Sequence, residues 1–192
     1  MKRILFILFA ISIVIGSVYN LMLADKEAEH SKGLYNGEES VEVSGTVPLS
    51  VNVGDKAPDF ELKTLDGKQV RLSDYRGERV LLNFWSTWCP PCRQEMPDMQ
   101  QFFQDKDPVI LAVNLTDTEV NQKTVREFIE EFGVTFPVLL DEKAKVSQLY
   151  RIQPIPTTYF IDAEGKIRYK AFGALTYEQM IQEYEKLSET SK

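Results

Sequence analysis

The sequence predicts an α/β domain in which a mixed central sheet is flanked by helices and preceded by a β-hairpin. Three observations lead there. Two almost continuously apolar runs, Val80-Leu81-Leu82-Asn83-Phe84-Trp85 and residues 109–115, enclose a segment of helix formers, as a strand-helix-strand unit requires. Asp66-Gly67 stands between alternating apolar runs, the pattern of a tight hairpin turn. Val125, Phe128, Ile129 and Phe132 recur at i, i+3, i+4 and i+7, which gives a helix one apolar face.

In chain order, Phe60, Leu62 and Leu65 before the Asp-Gly turn and Val70 and Leu72 after it supply the hairpin strands. A turn containing Ser73, Asp74 and Gly77 leads into the run 80–85, whose lack of polar alternation predicts a strand buried on both faces. Arg93, Gln94, Glu95 and Met96 carry the first helix, and the crossover it makes sets strand 109–115 parallel to 80–85. Gly133 ends the second helix, being the residue that most readily takes a left-handed conformation. A short strand at 138–140 and a short helix near 144–150 precede Pro154-Ile155-Pro156, after which 157–161 reads as a strand. Asp162-Ala163-Glu164-Gly165 turns the chain into the last strand, 166–172. Thr176 and Gln179 have the spacing of a capping box for a final helix with a buried stripe of Met180, Ile181, Tyr184 and Leu187. No internal repeat is present.

Among 192 residues there are 22 Lys and Arg against 29 Asp and Glu, a net charge of -7, which disfavours a phosphate-binding surface and argues against nucleic acid as a partner. A hydrophobic fraction of 43% suits a folded domain. With 2 Cys and 1 His, a disulfide scaffold, a self-contained zinc cluster and most His-dependent catalysis are excluded, and no metal site is expected.

Residues 1–24 read as an N-terminal membrane anchor. Lys2 and Arg3 precede the uncharged stretch 4–23, and at about 1.5 Å per helical residue such a stretch matches a hydrocarbon layer of roughly 30 Å. Leu21-Met22-Leu23-Ala24 holds one small residue where a cleavage site wants two, which favours an uncleaved signal-anchor over a cleaved leader. The cations before the span place the amino terminus in the cytoplasm and the rest of this single-pass chain on the extracytoplasmic side of the cell membrane. Residues 25–52, rich in Glu, Ser, Gly and Lys, read as a flexible linker in which His30 is solvated, and residues 53–192 as the folded domain.

Both cysteines lie in Trp88-Cys89-Pro90-Pro91-Cys92, directly after a buried strand and at the start of a helix. The unpaired N–H groups and the positive dipole end of that helix favour an anion, so Cys89 is expected to lose its proton more readily than a free cysteine. Pro90 and Pro91 have no N–H to orphan there, and their fixed φ stiffens the turn between the sulfurs. Cys92, one helical turn on, is expected to be less exposed and to attack Cys89 from the same face. A zinc site lacks ligands, since only distant His30 joins the two cysteines as a non-acidic candidate. A structural bridge over so short a loop would constrain little chain entropy. Export to an oxidising compartment favours redox activity over two inert buried cysteines.

Residues 84–92, Phe-Trp-Ser-Thr-Trp-Cys-Pro-Pro-Cys, together with Pro97 and Ile155-Pro156-Thr157, resemble proteins of the thioredoxin-like fold. Gly54-Asp55-Lys56-Ala57-Pro58-Asp59-Phe60, the Asp66-Gly67 hairpin and Arg93-Gln94-Glu95-Met96-Pro97 are similar to the membrane-tethered ResA and TlpA group of thiol-disulfide oxidoreductases, over roughly residues 51–188. The resemblance implies that Cys89 is the attacking thiolate and Cys92 the resolving cysteine. It implies that Pro156 is a cis-proline beside them and that the Ile155 backbone pairs with an extended substrate, with Trp88 and Pro90 completing the substrate-binding surface. No cofactor beyond the Cys89–Cys92 pair is implied. The implied partners are exported proteins with cysteine pairs, apocytochrome c before haem attachment among them, and a membrane thiol-disulfide electron donor. Clients in cell-envelope or spore assembly are the alternative.

Two departures mark this chain. Asn83 stands where thioredoxin carries a buried Asp, a feature that ResA-like proteins share, and Pro90 stands where ResA proteins commonly hold an acid. Glu95, six residues after Cys89, is a candidate for proton handling, against the reading of a solvated acid in the first helical turns. Trp85 is expected in the core, Trp88 beside the nucleophile, and Pro97 as a helix kink. A thiol peroxidase is the rival of another class, but Leu82 and Ser86 stand where a peroxide pocket would place Pro and Thr before Cys89. A binding module with incidental cysteines is the non-enzymatic rival.

Overall fold

The computed structural model describes residues 51–189, so the predicted anchor and nearly all of the linker lie outside the described residues. Val51, which the sequence assigns to the linker, is 2% exposed and its carbonyl accepts from Lys170 Nζ, so the folded part already includes it. The hairpin forms where Asp66-Gly67 places it: β1 (Glu61–Thr64) pairs antiparallel with β2 (Gln69–Arg71), and Gly67 takes a φ of 90° that only glycine adopts freely. A 3-10 turn at Leu72–Tyr75 then leads into β3 (Val80–Trp85).

The expected strand-helix-strand unit is β3, α1 (Pro90–Lys106) and β4 (Val109–Asn114), with β3 and β4 parallel. After a second 3-10 turn at Thr116–Thr118 come α2 (Gln122–Phe132), β5 (Val138–Leu140) and α3 (Lys145–Leu149). Gly133 ends α2 in the left-handed conformation. The described residues finish with β6 (Thr157–Ile161), β7 (Ile167–Phe172) and α4 (Tyr177–Glu189). The Thr176 and Gln179 capping box closes as predicted, Thr176 N–H donating to Gln179 Oε1 at 2.9 Å and Gln179 N–H to Thr176 Oγ1 at 3.4 Å.

Among the described residues all strands join one sheet in the order β2-β1-β5-β4-β3-β6-β7. The hairpin extends the central sheet at one edge, through β1 against β5. Successive residues of β3 point to opposite faces. Leu81 and Trp85 pack with α1, α2 and α4 residues such as Met96, Phe128 and Met180. Val80, Leu82 and Phe84 pack with Val51, Phe60, Leu72, Val146 and Tyr150 on the other side. Both faces are covered, which explains the uninterrupted apolar run, and each such side chain contributes roughly 1.5–3 kcal/mol by burial. Asn83 falls on the same face as Leu81 and Trp85, so it points toward α1.

Candidate active site

Cys89 is the N-cap of α1, and Pro90 and Pro91 are its first two residues. Neither proline has an N–H, so the first amide that the helix offers is that of Cys92, and it donates to Cys89 Sγ at 3.2 Å. Cys89 and Cys92 are joined as a disulfide with Cα atoms 5.3 Å apart. Both are buried, Cys92 at 1% exposure and Cys89 at 3%.

The residues expected around the pair converge on it from separate elements. Ile155 O lies 3.8 Å from Cys89 Sγ, the Ile155-Pro156 peptide bond is cis, and Pro156 is buried at the start of β6. The Gln153-Pro154 bond is also cis, for which the sequence carried no cue. Gly173 N–H donates to Pro156 O at 2.8 Å and ties this loop to the end of β7. Pro90 is exposed on the rim. Trp85 is fully buried against Phe128, with ring centroids 4.8 Å apart. Trp88 is not a core residue: it is 56% exposed, and its indole N–H donates to Thr118 Oγ1 at 3.2 Å. Helix α1 continues through Pro97, which is exposed.

The solvated reading of Glu95 is corrected by its burial. It sits one helical turn beyond Cys92 on the covered side of α1, 2% exposed. Asn83 Nδ2 donates to Glu95 Oε1 at 2.9 Å and to Thr158 Oγ1 at 2.9 Å, and Leu175 N–H donates to Glu95 Oε2 at 3.2 Å. Loss of hydration pushes the carboxyl up to about 8, against the Leu175 amide, which favours its ionised form. Asn83 and Leu175 were missed as partners of the site. The available signal was one polar residue in an apolar strand, on the face that meets the helix carrying the cysteines. Thr118 and Glu119, on the turn after β4, were missed as well.

A cysteine pair at a helix start, near a backbone carbonyl that precedes a cis-proline and one helical turn from a buried carboxyl, defines a thiol-disulfide oxidoreductase of the thioredoxin-like fold. The comparisons agree. Residues 53–170 match the AhpC/TSA family model. The chain is 43% identical over 145 residues to the thiol-disulfide oxidoreductase ResA of Geobacillus thermodenitrificans, covering 74% of this chain and 82% of that protein. Among solved structures, StoA from Bacillus subtilis aligns with a TM-score of 0.60 at 32% identity, covering 69% of this chain and 98% of StoA. The pneumococcal exposed lipoprotein thioredoxin Etrx1 of Streptococcus pneumoniae aligns with a TM-score of 0.57 at 33% identity, covering 67% of this chain and 99% of Etrx1. This chain belongs to the AhpC/TSA family and, within its thioredoxin-like members, to the ResA-type thiol-disulfide oxidoreductases.

Proposed function

We propose that the protein reduces disulfides of other exported proteins outside the cytoplasm, tethered to the cell membrane through residues 4–23. The observation that carries this reading is the burial of Glu95 one turn beyond Cys92, beneath a cysteine pair whose other member caps the helix. Among the described residues no helix is long and apolar enough to cross a membrane, and the tether rests on the sequence of the amino terminus. A ResA relative and an exposed lipoprotein thioredoxin support an extracytoplasmic, membrane-associated domain.

In the proposed cycle the reduced Cys89 thiolate, favoured by the Cys92 amide and the helix dipole, attacks one client sulfur. A Cys89–client bond forms as the client S–S bond breaks, and the departing client thiolate takes a proton from solvent. Trp88 and Pro90 form the surface on which an extended client lies, and the Ile155 backbone, followed by the buried Pro156, pairs with it. Cys92 then passes its proton to Glu95 in the molecules whose carboxyl is ionised, a share that grows as pH nears about 8, and attacks Cys89 Sγ. The mixed disulfide breaks, the second client thiolate leaves, and the Cys89–Cys92 bond forms. The client gains the two electrons that the pair loses, and a membrane thiol donor restores them. A carboxyl near 8 is close to a free thiol at about 8.5, so the proton moves between them with little driving force either way.

The client class is a cysteine pair such as that of apocytochrome c before haem attachment, and pairs in envelope or spore-assembly proteins are the alternative. The test uses the full chain in detergent with an oxidised Cys-x-x-Cys-His peptide. The parent chain is expected to reduce it, and Cys92→Ala to accumulate a covalent adduct through Cys89. An equilibrium that instead oxidises the reduced peptide would overturn the reductase direction, and absence of any adduct would overturn the mechanism.

A further inference from the structure

Glu119 follows the 3-10 turn after β4, and its carboxylate gathers three donors. Oε1 accepts the Thr87 backbone N–H at 2.7 Å and the Asn114 side-chain amide at 2.9 Å, while Oε2 accepts the Thr87 hydroxyl at 2.5 Å. Thr87 is 8% exposed and Asn114 is fully buried, so solvent does not readily replace these bonds. The adjacent Thr118 hydroxyl lies 3.4 Å from Ser86 Oγ, accepts from the Trp88 indole, and donates to Leu115 O at 2.7 Å. Ser86, Thr87 and Trp88 are the whole connection between the end of β3 and Cys89. Each of them is tied to Thr118 or Glu119.

We infer that Glu119 is a positioning residue for the dithiol: by holding the Thr87 peptide and hydroxyl, it sets Cys89 against Cys92. This rests on the exchange reading above. Cys89 is the N-cap of α1, its carbonyl accepting from Arg93 N–H at 3.1 Å, and the connection from β3 sets how its side of the turn approaches the helix. Within that connection the Cys89 N–H reaches Ser86 O at 3.4 Å, a long bond, and the two bonds to Glu119 hold Thr87 between the residues that Thr118 holds. Releasing Thr87 lets Cys89 wander, and the concentration of one sulfur seen by the other falls. Closure of the intramolecular disulfide then weakens, and the step in which Cys92 resolves a mixed disulfide slows.

The reach of the side chain, rather than its charge, is what the inference requires, and three variants of the full chain in detergent separate the two. In Glu119→Gln the amide keeps the length of the side chain: its oxygen still accepts from Thr87 N–H and Asn114, and its nitrogen donates to the Thr87 hydroxyl. Glu119→Asp keeps the charge but is one methylene too short, and Glu119→Ala keeps neither. Two quantities are read: the equilibrium constant of the Cys89–Cys92 pair in glutathione buffers, and the lifetime of the mixed disulfide with a test peptide. Glu119→Gln is expected within about twofold of the parent in both. Glu119→Asp and Glu119→Ala are expected to shift the equilibrium roughly tenfold toward the dithiol, about 30 mV, and to lengthen the mixed disulfide by a similar factor. If Glu119→Ala does not fold, the Asp and Gln variants decide. Parental values in folded Glu119→Ala, or an impaired Gln variant beside a parental Asp variant, would overturn the inference. A parent chain that never exchanges with peptide, while its glutathione equilibrium still follows this variant order, would sink the exchange reading and leave the positioning role standing.

Discussion

Asn83 Nδ2 donates to Glu95 Oε1 at 2.9 Å in a place that solvent barely reaches, Asn83 being 1% and Glu95 2% exposed. The carboxyl is displaced upward, from 4.5 to about 8, chiefly by burial and further by the charge of Asp98, while the Leu175 amide opposes the rise. In the unfolded chain the proton leaves near the ordinary carboxylate value, whereas the folded protein keeps it until about 8. Between those values unfolding releases a proton, so stability falls as pH rises, by about 1.4 kcal/mol per pH unit. The stability linked to Glu95 is therefore fully present below 4.5 and lost once pH passes about 8. Glu95→Gln removes this dependence. Urea unfolding of both chains between pH 5 and 9 is expected to show the parent losing several kcal/mol relative to the variant, then running parallel to it. A constant difference across the window would show that Glu95 titrates normally. The rate at which Cys92 resolves a mixed disulfide is expected to lose its limb near pH 8 in the same variant.

Asn83→Asp would set a second carboxyl against Glu95 within the same buried space. Two such groups do not both ionise, and one stays protonated to higher pH than either would alone. The variant is expected to approach parental stability at pH 5 and to be less stable by about 2 kcal/mol or more at pH 8. Denaturant midpoints at the two pH values check this. Equal destabilisation at both would mean that the Thr158 contact, rather than charge, accounts for the loss.

What the sequence shows of this site is what lies close together along the chain. The Cys89–Cys92 spacing, the helix start at Pro90, the Asp66-Gly67 turn and the capping box at Thr176 each depend on neighbours within a few residues, and each forms as read. The cis bond before Pro156 came only from likeness to a family, because the dipeptide itself favours trans. Glu95 was identified as a candidate but not as a buried group, since its cover comes from Asn83 on β3 and from the Leu175 amide, which is 80 residues away. Glu119 escaped for the same reason: its hold on Thr87 spans 32 residues and exists only once β3 and β4 lie side by side.

Gly165 has a φ of 81° in the turn between β6 and β7, and a Cβ there would lie 2.0 Å from Arg76 Nη1 and 2.5 Å from its Cζ. Gly165→Ala must then carry both an unfavourable left-handed backbone and a displaced guanidinium. A loss of about 1–3 kcal/mol is expected. Arg76→Ala in the same chain would relieve the contact and leave the backbone penalty, so the double variant is expected to recover part of the loss. Thermal or urea unfolding of the three chains measures both parts.

Trp85 and Trp88 stand three residues apart on opposite sides of the line between core and surface. Trp85 is fully buried against Phe128, so Trp85→Ala is expected to lose about 3–5 kcal/mol of stability. Trp88 is 56% exposed beside Cys89 and holds to the domain through one hydrogen bond to Thr118. Trp88→Ala is expected to unfold within about 1 kcal/mol of the parent, as exposed substitutions usually do. Under the proposed exchange its effect is expected to fall on a protein disulfide, because a large, half-free aromatic next to Cys89 would give a client a contact that truncation removes. A drop of roughly tenfold in the second-order rate is expected, with little change against a small disulfide that does not reach beyond the sulfur atoms. Equal loss against both substrates would place the effect of Trp88 on Cys89 itself rather than on the docking of a client.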